Sequence, residues 1–305
     1  MGLRVKTNME SLIAQRRIGE NRKAFGDSLE KLSSGQRINK SADDAAGLAV
    51  SERMRATTRS LEVSKRNAND GISYIQTAEG SLNEVTNIIV RMRELTAQAA
   101  SDTLGNKERS YLDKEFQQMR QEVQRIVDTT EFNGSKILQS QEKPIQIFVG
   151  ASNRANDFEG NAPNIKEPDP DVISIDLSDL GKMTEAVGKL TNQDGLAIVP
   201  PGMEGGANEL GETGTADLFN RLDTALDSIA GYRATLGSVQ SRLNSAINNI
   251  EVSTENLNAA NSRIRDVDFA SETARYTQSR ILTQAGISVL TQANSSPEFV
   301  LQLLR

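Results

Sequence analysis

The chain has 305 residues, of which 37% are hydrophobic and only 4% aromatic, and it contains no Cys, His or Trp. Those zeros exclude a disulfide framework, thiolate or imidazole catalysis, a Ser-His-Asp triad and an HExxH zinc site. The net charge of −6 is unevenly spread: residues 1–66 hold 14 Lys/Arg against 8 Asp/Glu, and residues 141–216 hold 5 against 13. The basic end interleaves acids at helical spacing and lacks an aromatic platform, so nucleic acid is not expected as a partner.

The first segment, MGLRVKTNMESLIAQRR, is amphipathic and lacks the apolar core of a signal peptide. No stretch approaches the ~20 apolar residues of a membrane span. These features predict a protein that is cytoplasmic or leaves the cell without a cleaved signal. Residues 1–40 carry a weak apolar seam through Val5, Met9, Leu12, Ile18, Phe25, Leu29 and Leu32. In KLSSGQRINKSADDAAGLAVSERM, Ser41 is the predicted helix cap, with Asp43 and Asp44 in the first turn against the positive end of the dipole. Ala45, Ala46, Gly47 and Ala49 then make a thin face that admits close neighbours.

A strong seam follows through Leu61, Ser64, Ala68, Gly71, Ile75, Ala78, Leu82, Val85, Ile89, Met92, Thr96 and Ala99. SDTLGNKE breaks it near Gly105, and a third seam uses Leu112, Phe116, Met119, Val123 and Ile126. Asn133-Gly134 then marks a turn. PIQIFVG and DVISIDL alternate apolar residues (Ile145, Ile147, Val149; Ile173, Ile175, Leu177) and read as strands. From GKLTNQDG to GGANELGETGT, Gly and Pro are frequent and periodicity is absent, which predicts an exposed irregular segment ending at Thr215, the expected cap of the next helix.

That helix carries the longest seam: Leu222, Ala225, Ile229, Tyr232, Leu236, Val239, Leu243, Ala246, Ile250, Ser253, Leu257, Ala260, Ile264 and Val267. A heptad held this long marks a coiled-coil seam, and at ~1.5 Å per residue the helix from Leu218 to Val267 spans about 75 Å. A sparser pattern continues through Ala274, Ile281, Ala285 and Val289 to SSPEFVLQLLR. The apolar tail of Phe299, Val300, Leu301, Leu303 and Leu304 needs a cover from this chain or from another copy, because chain ends otherwise fray in water. Short connections between long helices predict a mainly α fold: an antiparallel coiled-coil helical bundle with paired N- and C-terminal helices and a small β-hairpin insertion.

Six stretches in order and spacing carry a resemblance: LSSGQRINKSADDAAGLAVSERM, RNANDGISYIQTAEGSLNEV, RMRELTAQAA, EFNGSKIL, the run from LGSVQSRLNSAINNIEV, and LTQANSSPEFVLQLLR. Together they resemble bacterial flagellin over roughly residues 1–140 and 216–305. The resemblance implies three regions. Residues 1–42 with 266–305 would form an inner filament core, residues 43–140 with 216–265 an α-helical rod, and residues 141–215 a short outward-facing insertion of hairpin and loops.

The implied role is a filament subunit for swimming motility, an extracellular homopolymer without cofactor, metal or enzymatic activity. Its implied assembly residues are Val5, Met9, Leu12, Phe25, Leu29, Leu32, Ile281, Val289, Phe299, Val300, Leu301, Leu303 and Leu304. Further implied partners are the hook–filament junction and filament cap proteins, an export chaperone at the C-terminal helix, and the flagellin-sensing Toll-like receptor at Arg91, Leu95 and Glu115. The plainer role of Arg91 is to pair with Glu94 on one helix face, three residues on. Two alternatives share parts of this pattern: a hook–filament junction protein, and a secreted coiled-coil ligand of an innate immune receptor.

Overall fold

The seam running from Leu61 to Ala99 becomes the buried stripe of a long helix, and all twelve of its residues lie in the interior. Elements in this computed structural model are described for residues 8–101, 103–139, 144–150, 170–175, 178–191 and 212–303, excluding the side chains of 106, 178, 179, 190, 191, 212–216 and 296–303. In chain order they are α1 (Met9–Ser34), α2 (Ala45–Ala99), α3 (Asn106–Thr129), β1 (Glu131–Phe132), β2 (Ser135–Lys136), β3 (Ile145–Phe148), β4 (Val172–Ile175), α4 (Ser178–Thr191), α5 (Glu212–Arg265) and α6 (Phe269–Leu303). The mainly α class expected from the periodicity is the class observed. The chain divides into two compact units, Ser60–Val252, and Met1–Arg59 with Ser253–Arg305.

In the unit of residues 60–252, α2 and α5 run antiparallel. Ion pairs fix their register: Lys65 with Glu251 at 2.6 Å, Glu79 with Arg233 at 3.6 Å, and Arg93 with Asp223 at 2.8 Å. One continuous core joins their seams to Phe116, Val123 and Val127 of α3. Asn133 and Gly134, both at positive φ (50° and 78°), make the tight turn between β1 and β2. A two-residue loop with positive φ at both positions matches the twist of the strands it joins. Behind this turn, Phe132 meets Tyr74 edge-on at 5.7 Å, and Ile137 and Leu138 are fully buried.

β3 and β4 pair antiparallel, with Ile145 opposite Ile175 and Ile147 opposite Ile173. Leu177, read as part of the second strand, lies outside the described residues. The ribbon is seated on α2 at a position without a side chain: a Cβ on Gly71 would collide with Cδ1 of Ile147. Beside it, the Ser64 hydroxyl donates to the Gly150 carbonyl at 2.6 Å and the Asn67 amide to the Phe148 carbonyl at 3.2 Å.

Three local expectations are corrected. The stretch beginning at Gly188 is not irregular at its start, because residues up to Thr191 complete α4. That helix buries Leu180, Met183 and Val187 in the same core, and its Thr184 hydroxyl bonds the Leu180 carbonyl at 2.7 Å. Helix α2 is capped by Asp44 rather than Ser41. Asp44 directly precedes the first helical residue, and its Oδ1 accepts from the Gly47 amide at 2.8 Å. Asp43 is occupied in the preceding turn, where its Oδ2 accepts from the amides of Asn39 and Lys40, both at 3.0 Å. Helix α5 begins at Glu212, which places Thr215 inside its first turn, and it ends at Arg265, two residues before Val267.

In the other unit, α1 pairs with α6. The contact face of α1 is made of Ser11, Ala14, Ile18 and Ser28, all buried. Gly286 of α6 sits opposite Ile18, where a Cβ would come within 2.9 Å of Ile18 Cγ1. Small residues let the two backbones approach closely but bury little apolar area.

Candidate functional site

The α1–α6 pair leaves its larger apolar groups outside. Met9, Leu12, Ile13 and Leu29 of α1 are exposed, as are Phe269, Ile281, Leu282, Ile287 and Val289 of α6. Large apolar groups left in water on both helices are of the kind that marks an interaction surface. Part of it is concave. A groove of about 720 Å³ runs between the helices, floored by Ile13, Ala14, Leu282, Gly286 and Val289, with Glu10 and Arg17 among its other lining residues.

The expected assembly residues therefore divide into three groups. Met9, Leu12, Leu29, Ile281 and Val289 present their side chains to solvent. Phe25 and Leu32 are half-buried, and Phe25 stacks on Tyr276 of α6 at 4.8 Å. Val5 and Leu304 lie outside the described residues, as do the side chains of Phe299, Val300, Leu301 and Leu303. Sequence reasoning missed Ile13, Leu282 and Ile287. For Ile13 and Leu282 the signal was the adjacent apolar pair: Leu12-Ile13 and Ile281-Leu282 place apolar groups ~100° apart on a helix, wider than one seam requires.

The Arg91 cluster lies in the unit of residues 60–252. Its guanidinium donates to Glu94 Oε2 at 2.9 Å and, through Nε and Nη2, to Glu115 Oε1 at 3.2 and 3.0 Å. The Arg91–Glu94 pair expected from spacing is present, and Glu115 of α3 completes it. The side chains of Arg91 and Glu115 remain 48% and 38% exposed, which leaves both open to a partner. Leu95 is fully buried within the core and presents no side chain to a binding protein.

Among the described residues, no group of three Asp or Glu could hold a metal ion, and no helix is long and apolar enough to cross a membrane.

Residues 5–143 match the bacterial flagellin N-terminal helical region, and residues 219–304 match the bacterial flagellin C-terminal helical region. A flagellin of Halalkalibacterium halodurans is 39% identical over 303 residues, covering 99% of each chain. A flagellin of Bacillus subtilis is 38% identical over 312 residues, covering 99% of this chain and 100% of its own. The crystal structure of Bacillus cereus flagellin is 26% identical, with a TM-score of 0.45 over 61% of this chain and 88% of that one. By both its terminal regions and its near full-length relatives, the chain belongs to the bacterial flagellin family.

Proposed function

We propose that this structural subunit of the bacterial flagellar filament assembles through the apolar faces of α1 and α6. The observation that carries this is the inversion of the pair: apart from Ile18, the buried face of α1 is made of small and polar residues, while Leu12, Ile13, Ile281 and Val289 face water. A helix pair built this way gains most of its burial from further copies. Contacts that do not close a ring then generate an open helical filament.

In this reading the two chain ends form the filament core, the rod carries the lattice contacts, and residues 141–215 face outward. Export without a cleaved signal, binding of a chaperone at the C-terminal helix, and contacts with junction and cap proteins belong to the same proposal. The match over almost the whole of two flagellins does not favour a junction protein or a dedicated receptor ligand.

The test is growth from filament seeds, followed by electron microscopy. Full-length protein is expected to elongate the seeds, and a version ending before Ser295 is expected to stay monomeric. Ile281→Ser is expected to slow elongation about fivefold or more while leaving the monomer folded, the effect of losing about 1 kcal/mol at a well-packed interface position. Elongation of the truncated chain at the full-length rate would remove the tail from the interface.

A second reading concerns innate immune recognition, and the half-exposed Arg91–Glu115 pair favours it. Arg91 and Glu115 would supply the polar contact, and Leu95 would act by packing α2 beneath them. Arg91→Ala is expected to raise the dose needed for half-maximal Toll-like receptor signalling in a reporter cell. The accompanying loss of monomer stability should be small, because the pair is exposed and screened by water. An unchanged dose response would exclude Arg91 from the contact.

A further inference from the structure

Asparagine is followed by glycine at one place in the chain, Asn133-Gly134. That pair forms the whole loop between β1 and β2, and both residues are exposed at positive φ (50° and 78°). The ribbon it joins is short. Glu131 stands opposite Lys136 and Phe132 opposite Ser135, with a further bond from the Ile137 amide to the Thr130 carbonyl at 3.2 Å. A segment held by so few backbone bonds opens locally far more often than the core it rests on. A Cβ placed on Gly134 would meet nothing within 4 Å, so the space around the residue that follows Asn133 is open.

Asparagines in the helices lack these conditions. Asn244 and Asn261 precede Ser245 and Ser262 inside α5, and Asn294 precedes Ser295 inside α6. There the following residue carries a side chain, and its amide nitrogen is held in the helical ladder. Asp70-Gly71, the comparable acidic pair, lies in the middle of α2 under the same restraint, with Ile147 against Gly71.

We propose that Asn133 is a site of spontaneous covalent modification, a deamidation that needs only water. When the turn opens, the Gly134 nitrogen gives its proton to hydroxide and attacks Asn133 Cγ. The N–Cγ bond forms, the Cγ–Nδ2 bond breaks, and the departing nitrogen takes a proton from water to leave as ammonia. A cyclic imide remains, and water opens it at either carbonyl. Attack at Cγ leaves aspartate at position 133, whereas attack at the main-chain carbonyl reroutes the backbone through Cγ as isoaspartate. Over the whole sequence one water is consumed and one ammonia released, with no oxidation or reduction.

The two products differ in what they do to the fold. Aspartate tolerates positive φ much as asparagine does, so the turn survives with one added negative charge. Isoaspartate puts an extra carbon into the main chain of a two-residue loop, and Phe132 and Ser135 can no longer stand opposite each other. That register sets the Phe132 ring edge-on to Tyr74 at 5.7 Å and leads the chain into the buried Ile137 and Leu138. A reaction at an exposed turn thereby reaches the rod core.

Incubation of the full-length monomer at mildly alkaline pH, followed by peptide mass mapping, tests this. The peptide holding Asn133 is expected to gain the amide-to-acid mass shift at least about tenfold faster than those holding Asn244, Asn261 or Asn294. The rate should climb with hydroxide concentration, because the attacking nitrogen must first lose its proton. In the isoaspartate fraction the Ile137 amide should lose protection from hydrogen exchange, while the amides of Ile75 and Leu82 in α2 keep theirs. Freshly prepared Asn133→Asp carries the charge without the extra carbon, and it should keep Ile137 protected. Conversion of Asn133 no faster than that of the helical asparagines would overturn the site. Retained Ile137 protection in the isoaspartate fraction, or its loss in Asn133→Asp, would overturn the part assigned to the lengthened backbone.

Discussion

Helix α5 carries one heptad through both units, yet the two stretches are buried to different depths. From Leu222 to Ile250 its seam is buried, with Ala246 alone half-covered. From Ser253 onward the same period continues, but Ser253 is exposed and Leu257, Ala260 and Ile264 are only half-buried. The difference lies in the neighbours. The unit of residues 60–252 surrounds the seam with α2, α3, α4 and two β ribbons in one core, whereas the terminal helices pair two by two. A pair of helices covers one stripe on each, whatever the sequence repeats on the others.

The contrast predicts where mutations register in the monomer. The largest effect is expected in the rod: Phe116→Ala should cost about 3–5 kcal/mol in denaturant unfolding, as a fully buried aromatic ring leaves a cavity between α2 and α3. A loss below ~1 kcal/mol would mean that the rod core is as loosely held as the terminal pair.

A smaller effect is expected in alkali. Burial pushes the Tyr74 phenol up to about 12, and the buried Tyr232 higher still. A phenol whose folded pKa exceeds its unfolded value near 10 supports folding below that value and loses its contribution as pH rises toward the folded one. The Tyr74 phenol should therefore take about 2 kcal/mol from rod stability between about pH 10 and 12, with Tyr232 adding to the fall, and Tyr74→Phe should remove the Tyr74 share. Ultraviolet titration of tyrosinate alongside melting curves checks both.

The smallest monomer effect is expected at Leu12. Leu12→Ser should change monomer unfolding by less than about 0.5 kcal/mol, because the side chain already faces water. Its effect on seeded elongation should be far larger. A destabilised monomer would show that α1 is covered before assembly and would dissolve the distinction between the two regions.

Much of this was legible because long helices repeat themselves. Twelve positions from Leu61 to Ala99 were readable as one stripe, and Asn133-Gly134 could be read as a turn because few residue pairs tolerate two positive φ values. Helix α4 was harder to see. Leu180, Met183 and Val187 form a stripe of only three residues beside Gly-rich sequence, and it gains a buried surface only where Leu138 and α3 already stand. The cap of α2 was misplaced by three residues because Ser41, Asp43 and Asp44 are all competent acceptors. The neighbouring turn, which engages Asp43 with two amides, left Asp44 for the helix.

The sites divide along the same line. Apolar residues spaced along α1 and α6 identified a surface, and Arg91, Glu94 and Glu115 could be named, because composition and spacing are local properties. Leu95 shows the limit of that reading. It follows Arg91 by one helical turn, yet it is sealed in the core while Arg91 lies half-exposed at the core's edge, bonded to Glu115 of α3. The periodic sequence settled the helices, their seams and the family. Which stripes would be covered, which carboxylate would cap a helix, and how Arg37 meets the end of α5 some 226 residues away depended on the packed chain. Burial and capping are contests among neighbours, and distant parts of the chain become neighbours only in the fold.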